Sequence, residues 1–211
     1  RSGLITVESY LELVGQTITR VLRGSGRLRQ TLEESSFDAW TKFYKQDANA
    51  SNAIVSYYAK GSLVALALDL KLRSESEYSL DDVMRECWRR YGETGEGMPE
   101  RGFERVCLEV TGLDLSDFFD ASIRGTGELP LSRLLARFGI QHHLRGASGR
   151  EDKGGKPAAG KSAPWLGATL AANEGRSVFT VVANDGPAEK AGVAPGDVAV
   201  ALDGVALTAA N

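Results

Sequence analysis

Between residues 54 and 73 the chain presents almost no polar face. Leu63, Val64, Leu66, Leu68 and Leu70 fall on nearly all sides of a helix drawn through this stretch. Such a helix has to be surrounded, so the segment predicts a central helix buried by neighbouring helices. Lys60 and Asp69 interrupt it, which argues against a membrane span.

The flanking pattern supplies the neighbours. Val7, Tyr10, Leu11, Val14, Ile18, Val21 and Leu22 recur at helical spacing between Thr6, a candidate N-cap, and Gly24, a candidate left-handed stop. Ser36 is placed to cap a short helix carrying Phe37, Trp40, Phe43 and Tyr44, and a polar loop follows over 46–52. Ser79 and Asp82 form a capping-box pair ahead of a helix over 83–91 that Gly92 ends. Pro99 opens another helix with Phe103, Val106, Cys107 and Val110 inward, and 115–123 and 131–138 complete the set. Short loops between amphipathic helices predict a bundle.

At residue 146 the character changes. The run GASGREDKGGKPAAGKSA over 146–163 is rich in Gly, Lys and Ala without apolar periodicity, and reads as a flexible linker. Beyond it the period becomes that of strands: 167–171, 177–182, and the alternation Val198, Val200, Leu202 before an Asp203-Gly204 turn. The expected architecture is therefore multi-domain. An all-α helical bundle over 1–145 precedes the linker 146–163 and the N-terminal half of a small β-rich domain over 164–211.

Charge excludes some functions. With 25 basic and 28 acidic residues the net charge is -3, which offers neither nucleic acid nor an anionic membrane surface an attractive field. Cys87 and Cys107, both in apolar helical surroundings, read as buried free thiols and constrain the compartment little. No basic start followed by an apolar run marks a signal peptide, so cytoplasmic and periplasmic locations both stay open. The only histidines, His142 and His143, are adjacent and do not make a ligand set with metal-site spacing, so no metal is expected on this chain. Gly24-Ser25-Gly26 mimics part of a phosphate cradle but lacks the preceding strand, and reads as a turn.

Two stretches carry positive signals. Gly186-Pro187-Ala188-Glu189-Lys190-Ala191-Gly192-Val193, then Pro195-Gly196-Asp197-Val198, resembles the PDZ signature of bacterial proteases. Upstream, Trp165, Leu166, Gly167 and Ala168 match the loop whose backbone N–H groups hold a peptide C-terminus in that family. The resemblance implies a truncated PDZ-like domain, since the helix forming one wall of the groove should begin near residue 211.

The second stretch is Val55-Ser56-Tyr57-Tyr58-Ala59-Lys60-Gly61-Ser62-Leu63, which resembles the catalytic-tyrosine motif of aminopeptidase N and its relatives. With Gly26-Arg27-Leu28-Arg29-Gln30, Ser36-Phe37-Asp38-Ala39-Trp40 and Gly112-Leu113-Asp114-Leu115, it is similar to the glycyl aminopeptidase family. That family joins a zinc-dependent catalytic domain to a helical domain and then a PDZ domain. The resemblance implies a zinc aminopeptidase releasing small N-terminal residues, Gly or Ala, from peptides. Its metal ligands would lie upstream of Arg1, so no zinc is expected on this chain and no activity from it alone. It also implies a role for Tyr58. A phenol titrates near about 10 and so is a hydrogen-bond donor at neutral pH, placed to stabilise an oxyanion. Lys60 is expected to snorkel to water, and Gly61 to allow close helix packing. A different class also fits: a non-catalytic scaffold whose PDZ-like part recruits protein termini.

Overall fold

A computed structural model describes residues 3–149, 152–156 and 164–208. The helices come first in the chain and short antiparallel strands follow. The residues fall into two compact units, 1–30 with 34–56 and 146–211, and 31–33 with 57–145.

The first unit begins with α1 (Val7–Arg23). The Thr6 hydroxyl accepts from the Ser9 amide at 3.2 Å, the expected N-cap, while Gly24 leaves the helix in an extended conformation (φ -94°, ψ 133°) instead of the left-handed stop. Ile18 is buried, but Val7, Tyr10 and Leu13 are exposed, so only the later part of the apolar stripe is covered. A tight turn over Ser25–Leu28 follows. Here Gly26 lies so close to another loop that a Cβ would sit 2.1 Å from the Ile54 carbonyl oxygen; at Gly24 it would sit 2.7 Å from that of Ser51. The candidate cradle is filled by the chain's own backbone.

The next helix, α2 (Leu32–Phe37), starts five residues earlier than expected and contains Ser36 instead of being capped by it. A wider turn continues it, with the Tyr44 amide donating to the Ala39 carbonyl five residues back at 3.0 Å. That widening leaves Trp40 and Tyr44 outward, their rings 5.1 Å apart, and Phe37 is exposed. One turn of helix, α3 (Ala50–Ala53), occupies the loop expected over 46–52.

The second unit contains the central helix, α4 (Tyr57–Glu75), with Leu63, Val64, Ala67, Leu68, Leu70 and Leu72 buried. By length and composition residues 50–75 are apolar enough to cross a membrane, and here those apolar residues form a core. Asp69 has a job within it: its carboxylate accepts from the Leu80 amide at 2.9 Å and pairs with Arg73 at 3.0 Å, so it caps the next helix. That helix is α5 (Leu80–Cys87). The Ser79 amide donates to the Asp82 carboxylate at 2.9 Å, as the capping-box pattern predicts. A wider turn again extends it through Trp88–Gly92.

Then come α6 (Gly102–Thr111), α7 (Ser116–Phe119), extended by a wider turn to Arg124, and α8 (Leu131–Ala136). Leu68, Leu72, Val83, Cys87, Val106, Cys107, Leu115 and Phe119 pack as one cluster. The two cysteines are free and buried. Burial pushes the Cys107 thiol up to about 12.

Within residues 146–163, the described residues 154–156 lie against α1. The Lys156 amide donates to the Glu12 carboxylate at 2.8 Å, and Gly154 and Gly155, both at positive φ, lie against Thr19 and Glu12. Residues 150–151 and 157–163 of the expected linker lie outside the described residues. Glycine lets this stretch lie flat on α1, which its lack of periodicity could not reveal.

The last stretch builds β1 (Ala168–Asn173) and β2 (Arg176–Val182), paired antiparallel, then α9 (Pro187–Lys190), β3 (Val198–Ala199), β4 (Ala201–Leu202) and β5 (Val205–Ala206). The first sheet runs β1-β2-β3 and β4 pairs with β5. Glu174 and Gly175 both take positive φ between β1 and β2, as do Asp203 and Gly204 between β4 and β5, the backbone that a two-residue hairpin requires.

Candidate functional site

Tyr58 is the second residue of α4, and its side chain is 61% exposed. Its ring lies 4.2 Å from that of the half-buried Tyr57, tilted by 31°. The two positions differ as a helix start dictates: consecutive residues point about 100° apart, so one ring leans on the protein while the other faces out. Lys60 does not snorkel. It is buried, 3% exposed. Gly61 is not needed for room, since a Cβ there would meet the Leu32 side chain at an ordinary 3.9 Å. Asp38 pairs with Lys42 at 2.6 Å and Trp40 stays exposed.

The backbone at Val55 is held by two buried side chains. The Val55 amide donates to the Gln30 side chain at 3.0 Å, and the Ser35 hydroxyl donates to the Val55 carbonyl at 2.5 Å. Gln30 and Ser35 are both buried. Buried polar groups held this way are rigid, because losing a partner leaves an unsatisfied group. Sequence periodicity did not reveal these residues, since their partners are main-chain atoms 20 and 25 positions away.

In the segment 164–208, Trp165 and Leu166 are exposed and Gly167 has φ +75°. The Leu166 carbonyl accepts from the Ala188 amide at 3.0 Å, and the Gly167 carbonyl from the Ala183 amide at 2.7 Å. A Cβ on Gly167 would sit 2.9 Å from Pro187 Cδ, so a close backbone approach selects glycine here. Ala168 opens β1. Pro187 starts α9 and Gly192 (φ +85°) follows its end, the pattern read from the sequence.

His142 shares a hydrogen bond with the Ser132 hydroxyl at 2.7 Å, and His143 one with Gln141 at 3.4 Å. Among the described residues no three of His, Cys, Asp and Glu come together to hold a metal ion. The described residues by themselves do not fit zinc. A pocket of about 280 Å³ in the helical unit is lined by Arg101, Arg105, Asp114 and Ser116, and does not include Tyr58.

The M61 glycyl aminopeptidase model matches residues 1–64, the span that contains Tyr58. Among solved structures, the chain is similar to a crystal structure of an aminopeptidase N family protein from Idiomarina loihiensis. Identity is 38%, the match covers 98% of this chain and 36% of that one, and the TM-score is 0.86. No curated protein matches. The resemblance to the glycyl aminopeptidase family is borne out, and both matches agree with a fragment of that family.

Proposed function

We propose that this chain is part of an aminopeptidase that removes small N-terminal residues, Gly or Ala, from peptides, and that Tyr58 donates a hydrogen bond to the oxyanion formed at the scissile carbonyl. The observation that carries the reading is the exposed Tyr58 side chain on the first turn of the helix whose leucines enter the core, inside the matched span. A donor held there before reaction strengthens its bond as charge develops on the oxygen. The zinc that the resemblance implies would be held by residues outside this chain, and no step is derived through it.

Residues 164–211 are proposed as the opening half of a PDZ-like domain, with Trp165, Leu166, Gly167 and Ala168 forming the loop that receives a peptide C-terminus. The left-handed Gly167 and the Pro187–Lys190 helix beside it support this.

The test is Tyr58→Phe in the complete polypeptide that carries this chain, assayed on glycyl and alanyl anilides. The kcat should fall by roughly 10²–10³, the scale of deleting one oxyanion donor, with KM much less affected. Tyr57→Phe should be nearly silent. Equal effects at both positions would mean that the motif has been placed on the wrong residue.

A further inference from the structure

Within the helical unit Arg73, Arg85, Arg89, Arg90, Arg124 and Arg137 each pair with a carboxylate. Arg101 and Arg105 have no such partner among the described residues. The two acids of α6 that could serve them are taken: Glu104 accepts from Arg124 at 2.6 Å and 3.1 Å, and Glu109 pairs with Arg90. The placement is unfavourable in three ways. Arg101 is the N-cap of α6 and sits in the left-handed region (φ 55°, ψ 17°), although a glycine stands next to it at 102. That conformation is strained for a residue with a Cβ. Positive charge at a helix N-terminus opposes the macrodipole, and like charges four residues apart repel. Local rules broken together, with no gain in stability, are what a functional site leads one to expect.

Both arginines line the pocket of about 280 Å³ shared by α6 and the start of α7. Leu115 and Phe119 in its lining are buried, and Leu108 is exposed. Its acids are already held, Glu104 by Arg124 and Asp114 by the Ser116 amide and hydroxyl at 3.0 and 2.6 Å. Two guanidinium groups beside the one carboxylate that has no cation, Asp114, leave a single positive charge in excess. The geometry points to a binding site for a carboxylate that carries an apolar side chain, either a free acyl amino acid or the C-terminal residue of a peptide. The carboxylate is shared by Arg101 and Arg105, whose N–H donors suit its two oxygens, and the side chain lies against Leu108 and Leu115. This reading does not rest on the role given to Tyr58.

The experiment is calorimetric titration of the complete polypeptide that carries this chain with N-acetyl-leucine, which should saturate. N-acetyl-leucinamide, which lacks the charge, should bind at least about tenfold more weakly, and so should N-acetyl-leucine to Arg105→Gln. Arg101→Gly should lose affinity to the same degree. Its urea midpoint should nonetheless stay at or above that of the wild type, because glycine relieves the left-handed strain. A residue kept for structure would do the reverse, so a lowered midpoint with binding retained overturns the inference. A tripeptide ending in leucine that binds as tightly as the acyl amino acid identifies a chain terminus as the source. One that is shut out identifies a free acid, and either result supports the site. Four results overturn it: no saturation, equal binding of the amide, binding unchanged in both arginine variants, or inorganic phosphate competing as well as N-acetyl-leucine. The last would make the pocket a place for an adventitious ion only. If Arg101→Gly does not fold, that residue is structural and the inference fails, whatever Arg105→Gln shows.

Discussion

The helical cluster around α4–α7 and the stranded segment 164–208 are both rich in apolar residues, yet they use them in opposite ways. In the helical cluster Phe119 is 1% exposed, and Leu72, Val83, Val106 and Cys107 are fully buried. In the stranded segment Val198, Val200, Leu202 and Val205 are all exposed, and only Val182 and Ala188 among its described apolar side chains are buried. Its strands are made by turns such as Asp203-Gly204, whose backbone needs no core to form. Its order comes from main-chain and side-chain hydrogen bonds, such as those that Asn52 makes to Val182 and Asn184. An alternating pattern is therefore enough to make a strand, while burial depends on having something to face.

The comparison breaks most readily at Phe119. Phe119→Ala should cost about 3–5 kcal/mol in urea unfolding, and Leu202→Ala should stay within about 0.5 kcal/mol. A cost above about 2 kcal/mol at Leu202 would show that the strands bury a core of their own in solution. Next comes Asp69, an acidic residue inside the apolar helix that caps a neighbouring one. Asp69→Ala should cost about 1 kcal/mol by uncapping α5, and Asp69→Asn, which keeps an acceptor, should recover much of it.

The smallest effect is electrostatic. The Cys107 thiol titrates near about 12 in the fold, against about 8.5 for an ordinary thiol. Between those values the unfolded chain releases a proton that the folded chain keeps, so stability is intact below about pH 8.5 and declines as pH rises toward 12. From pH 8 to 9 this should amount to roughly 0.5–1 kcal/mol. Urea titrations of the wild type and Cys107→Ala should show a shallower decline in the variant, and identical slopes would sink the assignment.

Local chemistry was the legible part. Thr6 capping α1, Ser79 with Asp82 before α5, and Gly192 after α9 each act within four residues, so a reader of sequence can find them. The buried helix was legible because a segment apolar on every side has one solution. What failed depends on distance or on an added residue. Trp40 and Tyr44 turn outward because a five-residue turn breaks the 3.6-residue period. Lys60 is buried although its chemistry favours water. Of the candidate site, Tyr58 was visible through its resemblance to a motif. Gln30 and Ser35 were not, since a polar side chain bonded to main chain 20 or 25 positions away leaves no periodic signal.

The two glycines at 24 and 26 have a consequence for anyone wishing to alter this protein. There the chain crosses the 51–54 turn main chain to main chain, with no side chain between the two strands of backbone. The constraint is thickness, and one amino acid meets it. Alanine, the mildest replacement elsewhere, would act as a wedge at Gly26, lifting Ile54 and with it the peptide that Gln30 and Ser35 grip. Libraries built to vary this crossing have twenty choices at most positions, but at Gly26 they have one.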